Sequence, residues 1–167
     1  LGYRLNGIQC WVALPKEAES AAPSFTHYPA NKLPEFEEDG AQLKLLVGSA
    51  FGRQSPVRAH SDLFYLDGAM PKDKSLTLPC DGREGAVYLV SGLLRAGDVT
   101  LEPYSMALGQ VGEDLRLTAL EPCRFMLLGG SPVGQRYIYW NFVSSRYSMV
   151  IRLSRLELLE LSCGLKI

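Results

Sequence analysis

Gly97-Asp-Val-Thr-Leu-Glu-Pro103-Tyr-Ser105-Met-Ala-Leu108-Gly-Gln-Val-Gly112 is the stretch on which the fold reading turns. Two short apolar runs, Val99 to Leu101 and Met106 to Leu108, sit between glycines that can take the positive φ a tight turn demands. The same grammar extends outward in both directions. After Asp39-Gly40 come Gln42 to Gly48, Leu63 to Asp67, Ser75 to Leu78 and Ala86 to Ser91, and after Gly112 come Leu115 to Ala119, Arg124 to Leu128 and Tyr137 to Val143. Asp81-Gly82 and Gly129-Gly130 punctuate the series. Leu115, Leu117 and Ala119 alternate with Arg116 and Thr118, which gives one buried and one wet face. Short strands at this spacing mean a sandwich or barrel, an all-β fold.

One segment has a different period. From Arg146 to Leu161, Met149, Leu153, Leu156 and Leu159 recur at steps of three and four, with Arg152, Arg155, Glu157 and Glu160 between them. That predicts a C-terminal α-helix with a broad apolar stripe needing a partner surface. At the other end, Ile8 to Leu14 reads as a strand stopped by Pro15, and residues 16–34, rich in Pro, Ala, Ser and Glu, read as a linker.

Composition narrows the function classes. The 167 residues are 47% hydrophobic and 21% charged, ordinary for one globular domain. A net charge of −1 offers no clustered cationic surface for nucleic acid, and no apolar run approaches the ~20 residues that span a bilayer. Cys10, Cys80, Cys123 and Cys163 lack any Cys-x2-Cys spacing, so they read as small buried apolar residues in a reducing cytoplasm. There is no Gly-x-Ser-x-Gly elbow and no phosphate-binding Gly-x4-Gly-Lys-Ser/Thr run.

The opening stretch also carries a family outline. Gly97, Pro103, Ser105, Leu108 and Gly112 resemble the second motif of the cupin barrels, Gly-x5-Pro-x-Gly-x2-His-x3-Asn, with leucine in the histidine slot. The preceding motif's carboxylate slot falls on Gly85, seven residues before Gly92, and its two histidine slots fall near Pro79 to Asp81. A mononuclear metal needs imidazoles and carboxylates pointing inward there, because carbon side chains have no lone pair to give. With His27 and His60 the only histidines, the expectation is a jelly-roll barrel holding no metal or other cofactor, Leu108 and Gly85 facing its interior.

Longer stretches resemble the pirin family. They are Gly48-Ser-Ala-Phe-Gly52, Ser55-Pro-Val57, His60-Ser-Asp-Leu-Phe-Tyr-Leu-Asp67, Leu127-Leu-Gly-Gly130 and Trp140-Asn-Phe-Val-Ser-Ser145. Asn6 to Pro15 is similar to that family's passage from its first cupin domain into its second. The resemblance implies a bicupin protein in which a first half holds a mononuclear metal, iron or similar, through three histidines and a glutamate, while the second half is metal-free. This chain matches the second half. The implied organisation is a strand over residues 1–15 carried over from a preceding cupin domain, a linker over 16–34, a cupin domain over 35–145, and a helix and tail over 146–167. Pirin-like chains usually close on a lysine- and glutamate-rich helix, whereas Tyr147 to Ile167 is leucine-rich.

Three functions follow from the resemblance. The first is a structural and interaction half that packs on a preceding cupin domain, another protein chain or a second copy of itself. The second is part of an enzyme similar to quercetin 2,3-dioxygenases, with its catalytic residues in an N-terminal cupin outside these 167 residues. The third is a regulatory, transcription-cofactor-like protein-binding module. No residue of this chain is read as catalytic. His60, flanked by Arg58 and Asp62, is a ligand-contact candidate, since imidazole titrates near neutral pH; the plainer reading is a hydrogen-bonded residue at a strand entry. Tyr65, Tyr139 and Trp140 are suited to stacking on a flat ligand at a barrel mouth, but strand aromatics more often belong to the core, the reading preferred for them.

Overall fold

A computed structural model describes residues 7–140 and 142–151. They fall into two compact units, Pro23–Pro132 and a second that draws on Leu1–Ala22 and Val133–Ile167. The stretch from Val133 to Ser145 groups with the N-terminal segment.

The larger unit holds eleven strands among the described residues: β1 (Glu35–Glu38), β2 (Ala41–Ala50), β3 (Arg53–Gln54), β4 (Leu63–Met70), β5 (Ser75–Leu78), β6 (Glu84–Ser91), β7 (Leu94–Ala96), β8 (Val99–Leu101), β9 (Met106–Leu108), β10 (Leu115–Ala119) and β11 (Cys123–Gly130). One sheet runs β1-β2-β4-β11-β6-β9 with β3 beside β2, and the other runs β5-β10-β7-β8. Every ladder is antiparallel. This is the all-β jelly-roll sandwich that the turn spacing predicts. Sequence reading passed over β1, β3 and β7, because two- to four-residue strands with at most two apolar side chains give no period to detect.

Period-two alternation builds the core. Leu43 and Leu45 on β2, Phe64 and Leu66 on β4, Val87 and Leu89 on β6 and Phe125 and Leu127 on β11 point inward from the large sheet, and Leu76, Leu78, Leu94 and Leu117 meet them from the small one. Each such side chain contributes on the order of 1.5–3 kcal/mol by leaving water. The rings need room, which glycine supplies: a Cβ on Gly129 would stand 2.4 Å from Cζ of Phe64. Cys80 and Cys123 are buried as expected, and burial pushes both thiols up, away from the reactive thiolate. Cys10 departs from that reading and is exposed.

Leu108 corrects the motif reading. On β9, Ala107 pairs with the fully buried Val87 and shares its inward face, whereas Leu108 pairs with Ala86 on the outer face and is 79% exposed. Matching a motif letter by letter misplaces a side chain when the ladder sets the register one residue away. Gly85 does face inward, and a Cβ there would lie 2.5 Å from the Cys80 sulfur.

In the smaller unit, the single strand expected over Tyr137 to Val143 is a hairpin of β12 (Tyr137–Tyr139) and β13 (Phe142–Ser144), with Trp140 at φ +52° where the chain turns back. Residues 7–15 join no ladder, so the strand read from Ile8 to Leu14 is not formed among the described residues. The segment read as a linker contains two 3-10 turns, Lys16–Ala18 and Ala30–Lys32. Residues 147–151 are helical, and the remainder of the predicted C-terminal helix lies outside the described residues.

The smaller unit is organised by one carboxylate. Glu19, placed by the turn Lys16–Ala18, accepts from the Ser145 amide at 2.6 Å and hydroxyl at 3.0 Å, and pairs with Nε of Arg136 at 3.2 Å. Arg136 also donates to the Leu14 carbonyl, at 3.1 Å from Nε and 3.0 Å from Nη2. Burial alone would raise the Glu19 pKa, but the Ser145 amide and hydroxyl, Arg136 and Ser144 together outweigh it and hold the carboxyl below its ordinary value. The Ser144 hydroxyl then accepts from the Arg146 amide at 3.1 Å, just before the helix begins.

Candidate functional site

Two adjoining clefts open on the larger unit, where the β2–β3 hairpin, the loop ahead of β4 and the start of β6 converge. One, of about 470 Å³, is lined by residues of the 48–49 and 54–63 stretches, Arg58 and Ser61 among them. The other, of about 460 Å³, is lined by Arg53, Asp81 and Arg83 among others. Both share Ser49, Gln54 and Asp62.

Arg83 is the organising side chain. It is 6% exposed, and its Nε donates to the Cys80 carbonyl at 3.0 Å. Nη1 donates to the Ser49 carbonyl at 3.0 Å and to Asp62 at 3.3 Å, Nη2 to Asp81 at 3.3 Å, and the guanidinium lies 4.7 Å from the centre of the Phe64 ring. A buried cation needs this density of acceptors to offset lost hydration. Asp62 is tied from its other side as well, its second carboxylate oxygen accepting from the Ser131 hydroxyl at 2.9 Å. Sequence reading found Asp62 but missed Arg83, since Asp81-Gly82-Arg83 reads as a polar turn and nothing in it says that the arginine turns inward.

His60 and Tyr65 do not assemble with Asp62. His60 is exposed and makes no hydrogen bond or ion pair among the described residues, against the structural role expected for it; its neighbours Ala59 and Ser61 line a cleft, and it does not. Tyr65 is half-buried on the outer face of β4, opposite Leu128. Tyr139 and Trp140 belong to the smaller unit and are 51% and 79% exposed, which overturns the core reading. Nor do the clefts pair a nucleophile with a base: the Ser55 hydroxyl donates to the Leu46 carbonyl and accepts from the Val57 amide.

The positions where a cupin metal would be held suit it poorly. Gly85 has no donor atom, the space in front of it is taken by the Cys80 sulfur, and the facing residues Leu78 and Phe64 are carbon. No three His, Cys, Asp or Glu side chains converge as a metal site among the described residues.

A family model described as the pirin C-terminal cupin domain matches residues 65–152. The chain belongs to the pirin family. A pirin-like protein from Caulobacter vibrioides is 43% identical over 146 residues, covering 86% of this chain and 50% of its own length. A Pseudomonas aeruginosa protein that carries quercetin 2,3-dioxygenase as a provisional name is 34% identical over 150 residues, 88% of this chain and 47% of its own. Among solved structures, a quercetin 2,3-dioxygenase from Acinetobacter baumannii superposes with TM-score 0.79 at 26% identity, over 90% of this chain and 50% of that one. This pirin-family chain thus spans about half the length of the curated relatives it matches, and what it matches is the pirin C-terminal cupin.

Proposed function

We propose that this chain is a metal-free cupin domain with a structural and protein-binding role, acting in the cytoplasm as the C-terminal half of a longer pirin-family protein. The observation that carries the reading is the filled barrel. Where a metal site would need inward nitrogen and oxygen donors, Gly85, Cys80, Leu78 and Phe64 pack against one another. Its partner is a preceding cupin domain, and the apolar surface facing solvent in the smaller unit supports that part of the reading. Trp11 and Val12 are 61% and 60% exposed there, and Ile138 is 69% exposed. Three cysteines without disulfides, Cys10, Cys80 and Cys123, fit a reducing compartment.

A second reading is favoured by the likeness to quercetin 2,3-dioxygenases: this domain supports an oxygenase whose metal lies in another domain of the same protein. One experiment addresses both. Protein purified without chelator is assayed for bound iron, copper, nickel and zinc, and for oxygen uptake with quercetin, alone and joined to the N-terminal half of a relative. Substoichiometric metal and no uptake by the chain alone are expected under both readings, and uptake by the joined protein selects the second. A full equivalent of metal bound by the 167 residues themselves would refute the metal-free assignment.

A further inference from the structure

The two outermost strands of the large sheet are protected differently. β1 reads Glu35-Phe-Glu-Glu38, and β9 lies in the uncharged run Pro103 to Gly112. Glutamates keep the first edge from pairing with a copy of itself, since like charges would face each other across the two-fold axis. Nothing of that kind guards the second. Around β9, Tyr104 is 78% exposed, Met106 50%, Leu108 79% and Val111 67%.

The backbone of β9 is open at the same residues. The Ser105 carbonyl accepts from Leu89 at 3.0 Å and the Gly109 amide donates to Gly85 at 2.8 Å, so alternate residues of this stretch bond to β6. In an antiparallel ladder the residues between them, Met106 and Leu108, turn their N–H and C=O groups to the other side. No further strand lies there among the described residues. Among the described residues, Met106 and Leu108 thus present backbone groups without a strand partner and apolar side chains together.

We propose that β9 is a homodimer edge, two copies of this chain pairing antiparallel about a two-fold axis at Ala107. That register is self-complementary. Met106 faces Leu108 of the second copy and exchanges both backbone hydrogen bonds with it, and the two side chains meet on one face. A second copy is the occupant that the charge pattern favours, because an edge with no charge between Glu102 and Glu113 neither repels its own image nor offers an ion pair to a charged partner. Three residues per copy, with Tyr104 and Val111 at the margins, make a patch at the small end of specific interfaces, below about 1,200 Å² in total. A patch of that size belongs with the weak, transient associations.

Sedimentation equilibrium of the 167-residue chain over roughly a hundredfold concentration range, together with amide hydrogen exchange, tests this. Concentration-dependent dimerisation is expected, with exchange at Met106 and Leu108 slowing as the dimer fills. Leu108→Lys raises the dissociation constant at least about tenfold, by setting each cation against the apolar Met106 of the second copy and bringing the two lysines diagonally near each other across the axis. Phe25→Lys, which removes a 92% exposed apolar ring elsewhere, leaves it unchanged. Met106→Ser serves in place of Leu108→Lys should that variant lose its circular dichroism spectrum. A chain that stays monomeric throughout overturns the proposal, as does a dimer that Leu108→Lys does not weaken or whose Met106 and Leu108 amides exchange as in the monomer.

Discussion

The barrel and the smaller unit are stabilised by different forces. Between its sheets the larger unit buries a continuous carbon core, and its one deeply buried cation, Arg83 among the described residues, is ringed by acceptors. The described part of the smaller unit has Val150 as its buried apolar side chain and converges on the Glu19 carboxylate. Apolar burial has no group to titrate, while a hydrogen-bonded ion pair responds to pH and is weakened by screening salt. The contrast teaches that one chain can carry a pH-insensitive scaffold beside an acid-labile element.

Breaking the core gives the largest effect. Phe125→Ala removes a fully buried ring and leaves a void the sheets cannot close, so urea unfolding should show a loss of about 3–5 kcal/mol with the slope unchanged. A loss under 1 kcal/mol would mean that the barrel is not the cooperative unit assumed here. Next comes Arg83→Met, which preserves much of the volume but takes the side-chain donor from the Ser49 carbonyl and leaves the Cys80 carbonyl with the residue-83 amide alone, at a cost of about 1–3 kcal/mol in the same measurement. Asp62 and Asp81 are exposed enough to be hydrated once the arginine is gone, which keeps that cost below the core value.

The smallest global effect belongs to Glu19→Gln, and it sharpens the comparison most. Its ion pair and charge-assisted bonds are lost, so the Ser145 amide should exchange faster while the barrel's unfolding midpoint stays in place. Acid should reproduce this in the unmodified chain. The folded-state pKa of Glu19 lies below its ordinary 4.5. Its contribution is therefore complete above that value and disappears as the pH falls through the depressed one. Ser145 protection that persists down to full protonation would show that the carboxylate is not what holds this element.

Much of the barrel was legible because a strand half in water writes its burial into alternate letters. Leu115, Leu117 and Ala119 announced β10, and Gly40, Gly82, Gly97 and Gly112 announced reversals, whereas Gly129-Gly130, read as a turn, is the end of β11. β1 escaped because Glu35-Phe-Glu-Glu38 earns its place through pairing with β2 rather than by any period of its own. The hairpin escaped because Trp140, at a left-handed φ, gives no glycine signal for its turn. The candidate site was legible in one residue, Asp62, whose partner Arg83 sits far along the chain and looks like any turn arginine.

From sequence alone came the all-β class, the pirin resemblance and the shortage of metal ligands, since composition, period and spacing are local properties of the chain. Which way a side chain points across a ladder was decided only in three dimensions. The register of β9 against β6 sent Leu108 outward and Ala107 inward, and the meeting of β2, β4 and β6 turned Arg83 into a buried tie. Pairing is a long-range choice made by the summed burial of all the strands, and no single stretch of residues encodes it.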